Sequence, residues 1–178
     1  MKLAAYQEQL DGGRVRCLLC PHECLVVEGR RGLCNVRENR GGELYSLNYF
    51  KMGALAIDPI EKKPLYHFHP GDTIHSIGSF GCNLSCDFCQ NYGLVGAESL
   101  CQDFTLEGLL SWLTKNPDVG LAYTYNEPTV WFETVREIMP RVREKGLSNV
   151  WVTNGYTQES PLAEVLPYTD AMNIDMKC

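Results

Sequence analysis

The period of the apolar positions changes along the chain. Over residues 1–45 there is little periodicity, and the stretch is rich in Gly and Arg, so it reads as loops and short turns. Residues 46–73 carry D-P-I-E-K-K-P and end in H-P-G-D. Pro59, Pro64 and Pro70 stop regular helix there, so a mostly extended segment wrapping the rest is expected. From residue 73 the pattern becomes regular. Residues 73–80 are β-branched and apolar between Gly71 and Gly81 and predict a strand. Residues 105–115 predict a helix, with Thr105 as N-cap and Leu106, Leu109, Leu110 and Leu113 on one face. A second strand follows over 119–125. Pro128 then suits the first position of a helix, because the N–H it lacks is not needed there. Trp131, Val135, Ile138 and Val142 form one stripe of that helix; Pro140 inside it predicts a kink or split, and Gly146 an end. A third strand is expected over 147–153, a short helix over 160–166 capped by Ser160 with Pro161 next, and a fourth strand over 171–176.

Strands joined by helices of this length run parallel with right-handed crossovers. The body, 73–178, is therefore α/β, either an open sheet or part of a barrel. An eight-unit barrel takes about 250 residues, so the body has room for roughly half of one. The sequence stops directly after a predicted buried strand with no covering helix, so a truncated chain is expected. Two regions result: a cysteine-rich extension and connector, 1–72, and the α/β body, 73–178.

Composition narrows the function. Of 178 residues 44% are apolar and 21% charged, which is ordinary for a globular chain. The net charge of −6 lacks the basic excess that phosphate backbones require, so no nucleic-acid partner is expected. No apolar run is long enough to span a membrane, and the first ten residues have no signal-peptide core, so a cytoplasmic protein is expected. Nine cysteines are many for a reducing compartment and odd for a closed disulfide set. Metal or redox chemistry becomes the leading explanation.

Three of these thiols sit together in G-C-N-L-S-C-D-F-C-Q-N, residues 81–91, directly after the first predicted strand. Such a loop can fold around an iron–sulfur cube and place Cys82, Cys86 and Cys89 on three corners. The fourth iron is then open to a small molecule, whereas clusters that only carry electrons are closed by four cysteines. A zinc site remains the alternative; it needs a fourth ligand, such as His75 or a cysteine of the first region. That region holds a second set, Cys17, Cys20 and Cys24, then Cys34 after nine further residues. Four soft ligands suit structural zinc or a closed cluster, with His22 as an extra candidate and packed, reduced thiols as the plain rival. His67, His69 and His75 read as hydrogen-bonded structural residues, the stretch 66–69 as packed on the body, and Cys101 as a small apolar residue. Cys178 stands apart from both sets.

The three-cysteine loop, with Phe88 just before its last thiol, resembles the signature of radical S-adenosylmethionine (SAM) enzymes. The likeness extends to C-L-L-C-P-H-E-C, G-L-C-N-V-R-E-N, D-P-I-E-K-K-P-L-Y-H-F, C-D-F-C-Q-N, Y-N-E-P-T, V-T-N-G-Y and N-I-D-M-K. Together these resemble the radical SAM member of the AmmeMemoRadiSam system, which is similar to the pyruvate formate-lyase activating enzymes. Members are nearly twice this length, so the likeness covers their N-terminal half. The resemblance implies a partial (β/α) barrel of radical SAM type behind a cysteine-rich extension. It implies a 4Fe–4S cluster on Cys82, Cys86 and Cys89, a one-electron donor of flavodoxin or ferredoxin type, and an unidentified substrate, activase-like in being a protein. Phe88, Asn126, Glu127, Thr153, Asn154, Asp175 and Lys177 would contact SAM. Glu127 would accept from its amino group, Thr153 and Asn154 would touch ribose or carboxylate, and Lys177 would pair with the carboxylate. Asp175 and Lys177 alternate with Met176 and so share a face. Where relatives carry Gly-Gly before the Glu-Pro pair this chain has Tyr125 and Asn126, and where an Asp commonly precedes T-N-G it has Val152. Each motif also has a local reading: Y-N-E-P as a turn and helix start with Glu127 on the helix dipole, N-G as a turn, and Asp175 with Lys177 as a surface ion pair. The functional alternative is a non-catalytic zinc or iron–sulfur module.

Overall fold

The computed structural model describes residues 1–116 and 118–177. The first region is not the set of loops that its pattern predicts. It contains β1 (Lys2–Leu3), β2 (Gln7–Leu10), β3 (Arg14–Cys17), β4 (Leu25–Val26), β5 (Arg37–Arg40) and β6 (Glu43–Ser46). These make two antiparallel sheets, ordered β2-β3-β4 and β1-β6-β5. Strands of two to four residues are too short to register a period of two. In β5, moreover, the inward positions are Arg37 and Asn39, so burial runs against hydropathy. Asn39 ties the strands together, donating to the carbonyls of Gly13 and Val26 at 2.8 Å.

The connector is extended, as expected, but does more than wrap. After β7 (Lys51–Met52) comes β8 (Ala54–Pro59), which pairs antiparallel with β9 (Thr73–Gly78) along its whole length. Pro59 falls at the end of this edge strand, where a missing donor is tolerated. The cysteine loop leads to α1 (Tyr92–Val95), β10 (Gln102–Asp103) and α2 (Leu106–Lys115). β11 (Gly120–Tyr123), α3 (Phe132–Glu144), β12 (Ser148–Thr153), α4 (Glu159–Val165) and β13 (Ala171–Ile174) complete the order. The main sheet runs β13-β12-β11-β9-β8, with β9, β11, β12 and β13 mutually parallel.

Both faces of this sheet are covered, which explains its unbroken apolar runs. Leu121, Tyr123 and Trp151 share a core with Leu109, Leu110 and Leu113 of α2 and with Val135, Ile138, Met139 and Val142 of α3. On the other face Ile74, Ala122 and Val150 pack on Ile60, Leu65 and Phe68 of the connector. Tyr66 of the same stretch is exposed.

Thr105 caps α2 as predicted, accepting from the Gly108 N–H at 3.0 Å. α3 is one continuous helix through Pro140 and does not split into two there. The proline removes one ladder bond, and the fully buried stripe on either side holds the helix against the sheet. Gly146 ends it with φ +73, and the Gly146 and Leu147 N–H groups return to the carbonyls of Arg143 and Val142. The last helix begins at Glu159 behind Gln158, without a side-chain cap, so Ser160 is not its cap. The last strand ends at Ile174, two residues before the predicted end.

Candidate functional site

Parallel strands place their C-terminal ends on one edge of the sheet, and the motifs follow those ends. They surround a single cavity of about 310 Å³. The loop after β9 contributes Cys82, Cys86, Phe88 and Cys89. The β11 end contributes Asn126 and Glu127, the β12 end Thr153 and Asn154, and the segment after β13 Asp175 and Lys177. All the SAM-contact candidates are thus brought together. The details differ between them.

Asn126 is buried and committed to the loop. Its Oδ1 accepts from the Ser79 N–H at 3.0 Å, and its Nδ2 donates to the Gly81 carbonyl at 3.1 Å. Glu127 is also buried and serves as the N-cap of the turn at Pro128–Trp131. Its Oε1 accepts from the Thr129 N–H at 2.9 Å and the Thr153 hydroxyl at 2.7 Å, and its Oε2 from the Asn154 N–H at 2.8 Å. Burial pushes the Glu127 carboxyl up, and hydrogen bonds from Asn154, Thr129 and Thr153 oppose this only in part. Asn154 donates through Nδ2 to Asn83 Oδ1 at 2.9 Å. Lys177 and Asp175 lie side by side, Nζ to Oδ2 at 3.1 Å, and both are partly exposed. Phe88 is 60% exposed at the cavity rim.

The loop is held from outside as well. Gly81 enters it at φ +87, and a Cβ there would sit 2.3 Å from Val36 Cγ1 and 2.8 Å from the Cys34 carbonyl oxygen. The Asn83 Nδ2 donates to the Tyr156 carbonyl at 2.7 Å, and the Asn83 carbonyl oxygen lies 2.7 Å from His22 Nε2. Burial pushes the Cys82 thiol up.

Tyr125, outside the predicted SAM contacts, also lines the cavity. It adopts φ +73, and its hydroxyl donates to Asp58 Oδ2 at 2.6 Å. Asp58 also receives Lys62 at Oδ1 and Lys63 at Oδ2, both at 2.7 Å, and the Lys63 ammonium stands 4.9 Å from the Tyr125 ring centre. Burial works to raise Asp58, but the bonds from Lys62, Lys63 and Tyr125 outweigh it and hold the carboxyl below its ordinary range. The signal for this group is D-P-I-E-K-K-P itself, which places Asp58 four and five residues before Lys62 and Lys63.

The four cysteines of the first region line a separate cavity together with His22, Arg37 and Asn83. Cys17 and Cys20 are buried, Cys24 and Cys34 half-buried. Burial pushes the Cys34 thiol up to about 11. All eight described cysteines are free, and among the described residues no three His, Cys, Asp or Glu side chains converge on a point that one ion could occupy. His75 is no ligand: its Nε2 lies 2.6 Å from the Asn116 carbonyl oxygen and its ring packs on Trp112. Cys101 packs beside Val36, Leu47, Phe80 and Val130. Cys178 lies outside the described residues.

Three free, soft donors from one loop beside a cavity suit an iron–sulfur cluster. No helix among the described residues is long and apolar enough to cross a membrane. The chain is similar to the uncharacterized protein MJ0808 of Methanocaldococcus jannaschii, 43% identical over 180 residues that cover 99% of this chain and 54% of that relative. It thus spans about half the length of the curated relative it matches. A family model described as a 4Fe–4S single cluster domain matches residues 74–177, from the second residue of β9 to the last cavity residue. The match covers more than half of the chain, and this iron–sulfur protein belongs to the 4Fe–4S single cluster domain family.

Proposed function

We propose that the protein is a radical SAM enzyme of the AmmeMemoRadiSam type, similar to the pyruvate formate-lyase activating enzymes. In this reading Cys82, Cys86 and Cys89 hold the 4Fe–4S cluster and leave one iron for SAM. The observation that carries it is that three free thiols of one loop and the ends of three further parallel strands line one cavity of about 310 Å³. The sheet supports it too. Its strands follow chain order from β8 to β13 without reversal, as a partial (β/α) barrel requires and a doubly wound sheet does not.

When bound, the cluster supplies the electron that splits the sulfonium–C5′ bond of SAM, giving methionine and a 5′-deoxyadenosyl radical that takes a hydrogen atom from the substrate. The residues of this chain bind and orient. Glu127 Oε1 is saturated by two donors, whereas Oε2 carries one and keeps an acceptor position for the SAM amino group. Lys177 offers an ammonium to the SAM carboxylate, which competes for it with Asp175. The exposed Phe88 ring offers a face for the adenine. Leu84, Val95 and Val152 line the same cavity and keep water from the reacting bond. Asn126 and Thr153 position Gly81 and Glu127 instead of touching SAM. The reading also takes a cytoplasmic setting, a one-electron donor of flavodoxin or ferredoxin type, and an unidentified substrate.

The test is anaerobic reconstitution of the full-length protein with iron and sulfide, followed by SAM and dithionite. Formation of 5′-deoxyadenosine is the expected result. An intact cluster that leaves SAM uncleaved would overturn the reading in favour of a non-catalytic iron–sulfur module.

A further inference from the structure

The turn over residues 18–24 of the first region lies outside the lining of the large cavity, yet it holds two of the loops that frame it. The Glu23 N–H closes the turn on the Cys20 carbonyl at 3.1 Å, and Glu23 takes φ +44, a left-handed conformation uncommon outside glycine. His22, half-buried, reaches the loop after β9: its Nε2 lies 2.7 Å from the Asn83 carbonyl oxygen. A carbonyl oxygen only accepts, so Nε2 carries the hydrogen. The ring stands edge-on to Tyr156 in the loop after β12, with centroids 4.9 Å apart. The same turn binds that second loop directly. The Gln158 N–H donates to the Leu19 carbonyl at 3.1 Å, and Gln158 Nε2 to Glu23 Oε1 at 3.1 Å.

Asn83 carries the contact onward. It is buried, and both ends of its amide are engaged: Nδ2 donates to the Tyr156 carbonyl at 2.7 Å, and Oδ1 accepts from Asn154 Nδ2 at 2.9 Å. Asn154 Oδ1 accepts in turn from the Tyr156 N–H at 2.9 Å. The Asn154 side chain is thus held within the protein, and its backbone N–H ends the series on Glu127 Oε2 at 2.8 Å. A continuous polar chain runs from His22 through Asn83 and Asn154 to the Glu127 oxygen that keeps an open acceptor position.

We propose that His22 and Asn83 are positioning residues for SAM binding: together they fix the Asn154 N–H on Glu127 Oε2 and so set the direction in which that carboxylate offers its open position. The inference rests on the reading of Glu127 as the partner of the SAM amino group. It gives the first region a part in the site. Asn83 directly follows Cys82, so one clamp bears on the cysteine loop and on Glu127 together. With the clamp released, the Asn154 N–H can leave Oε2 and the carboxylate can turn about its remaining donors, Thr129 and Thr153.

The test uses the full-length, anaerobically reconstituted protein and reads SAM binding by equilibrium dialysis. H22L removes the donor, whereas H22Q keeps an N–H at a similar reach. H22L should raise the SAM dissociation constant about tenfold, as loss of a residue that orients a ligand's partner from behind does, and H22Q should stay within about twofold. In an E127Q background H22L should add less than about twofold, because residues that act through one group are not additive. A His22 that only stitches the first region to the body would weaken binding equally in both backgrounds. That result would overturn the proposal, as would an H22L protein that binds SAM like the unsubstituted one. Where H22L fails to take up iron, hydrogen exchange of the cluster-free protein decides: the Asn154 N–H should exchange about tenfold faster in H22L, but not in H22Q, with Leu121 unchanged. No change at Asn154 would sink the proposal. Failure of the underlying reading looks different: the unsubstituted protein, with its cluster in place, would neither bind nor cleave SAM, while Asn154 would still respond to H22L.

Discussion

The Thr153 hydroxyl donates to Glu127 Oε1 at 2.7 Å, joining the ends of β12 and β11 at the cavity wall. With the N–H groups of Thr129 and Asn154, it leaves Glu127 facing three donors. A glutamine there must turn its amide NH₂ toward one of them. E127Q should therefore lose about 1–3 kcal/mol in urea unfolding. Glu127 is pushed above its ordinary 4.5 in the folded state, so the folded protein binds more protons than the unfolded one above that pH. The contribution of this group is thus full below 4.5 and is lost as pH rises through the folded value. Unfolding midpoints measured from pH 4 upward should fall in the unsubstituted protein, and the E127Q profile should lack that part of the slope.

Asp58 works in the opposite sense. Lys62, Lys63 and Tyr125 hold it below its ordinary 3.8 against the pull of burial, so its contribution is present above 3.8 and is lost as the solution is acidified. D58N should flatten the acid limb of the stability profile. K63M should cost about 1–3 kcal/mol, because it takes one donor from a buried carboxylate that keeps Lys62 and Tyr125. Thermal melts between pH 2 and 7 check both.

The body was readable because its strands and helices are long and apolar with clear periods. The Leu109–Leu113 face of α2 and the Val135–Val142 stripe of α3 are buried where the pattern put them. Gathering the chemistry at one sheet edge follows from parallel pairing alone, so the placement of Cys82, Glu127, Asn154 and Lys177 around one cavity needed no side-chain knowledge. What stayed hidden depends on polar burial. Arg37 and Asn39 point inward from a four-residue strand, and Lys63 is 2% exposed against Asp58. A sequence pattern assigns such residues to solvent. Only the tertiary partners, Glu133 for Arg37 and Tyr125 for Asp58, reveal otherwise.

Gly81 is required by both its backbone and its neighbours. At φ +87 an L residue is strained by about 1–2 kcal/mol, and a Cβ would strike Val36 and the Cys34 carbonyl. The carbonyl is backbone and cannot swing aside. G81A should destabilise the protein by roughly 2–4 kcal/mol and loosen the seat of the cysteine loop on the first region. Hydrogen exchange should show faster exchange at the Leu84 N–H, which donates to Cys82 Sγ, and unchanged exchange in α3.

Lys177 and Asp175 separate a binding role from a surface ion pair. Both are partly exposed, so their mutual attraction contributes little to stability, and neither K177A nor D175A should move the unfolding midpoint by more than about 0.5 kcal/mol. Their effects on SAM should differ in sign. K177A removes the ammonium proposed to meet the SAM carboxylate and should raise the dissociation constant about tenfold, equal to about 1.4 kcal/mol. D175A removes a negative charge 3.1 Å from that ammonium and frees it for the ligand, so the dissociation constant should stay the same or fall. Anaerobic equilibrium dialysis with the reconstituted protein reads both. Equal weakening by the two substitutions would mean that only their mutual pairing shapes the cavity, and Lys177 would lose its assigned contact.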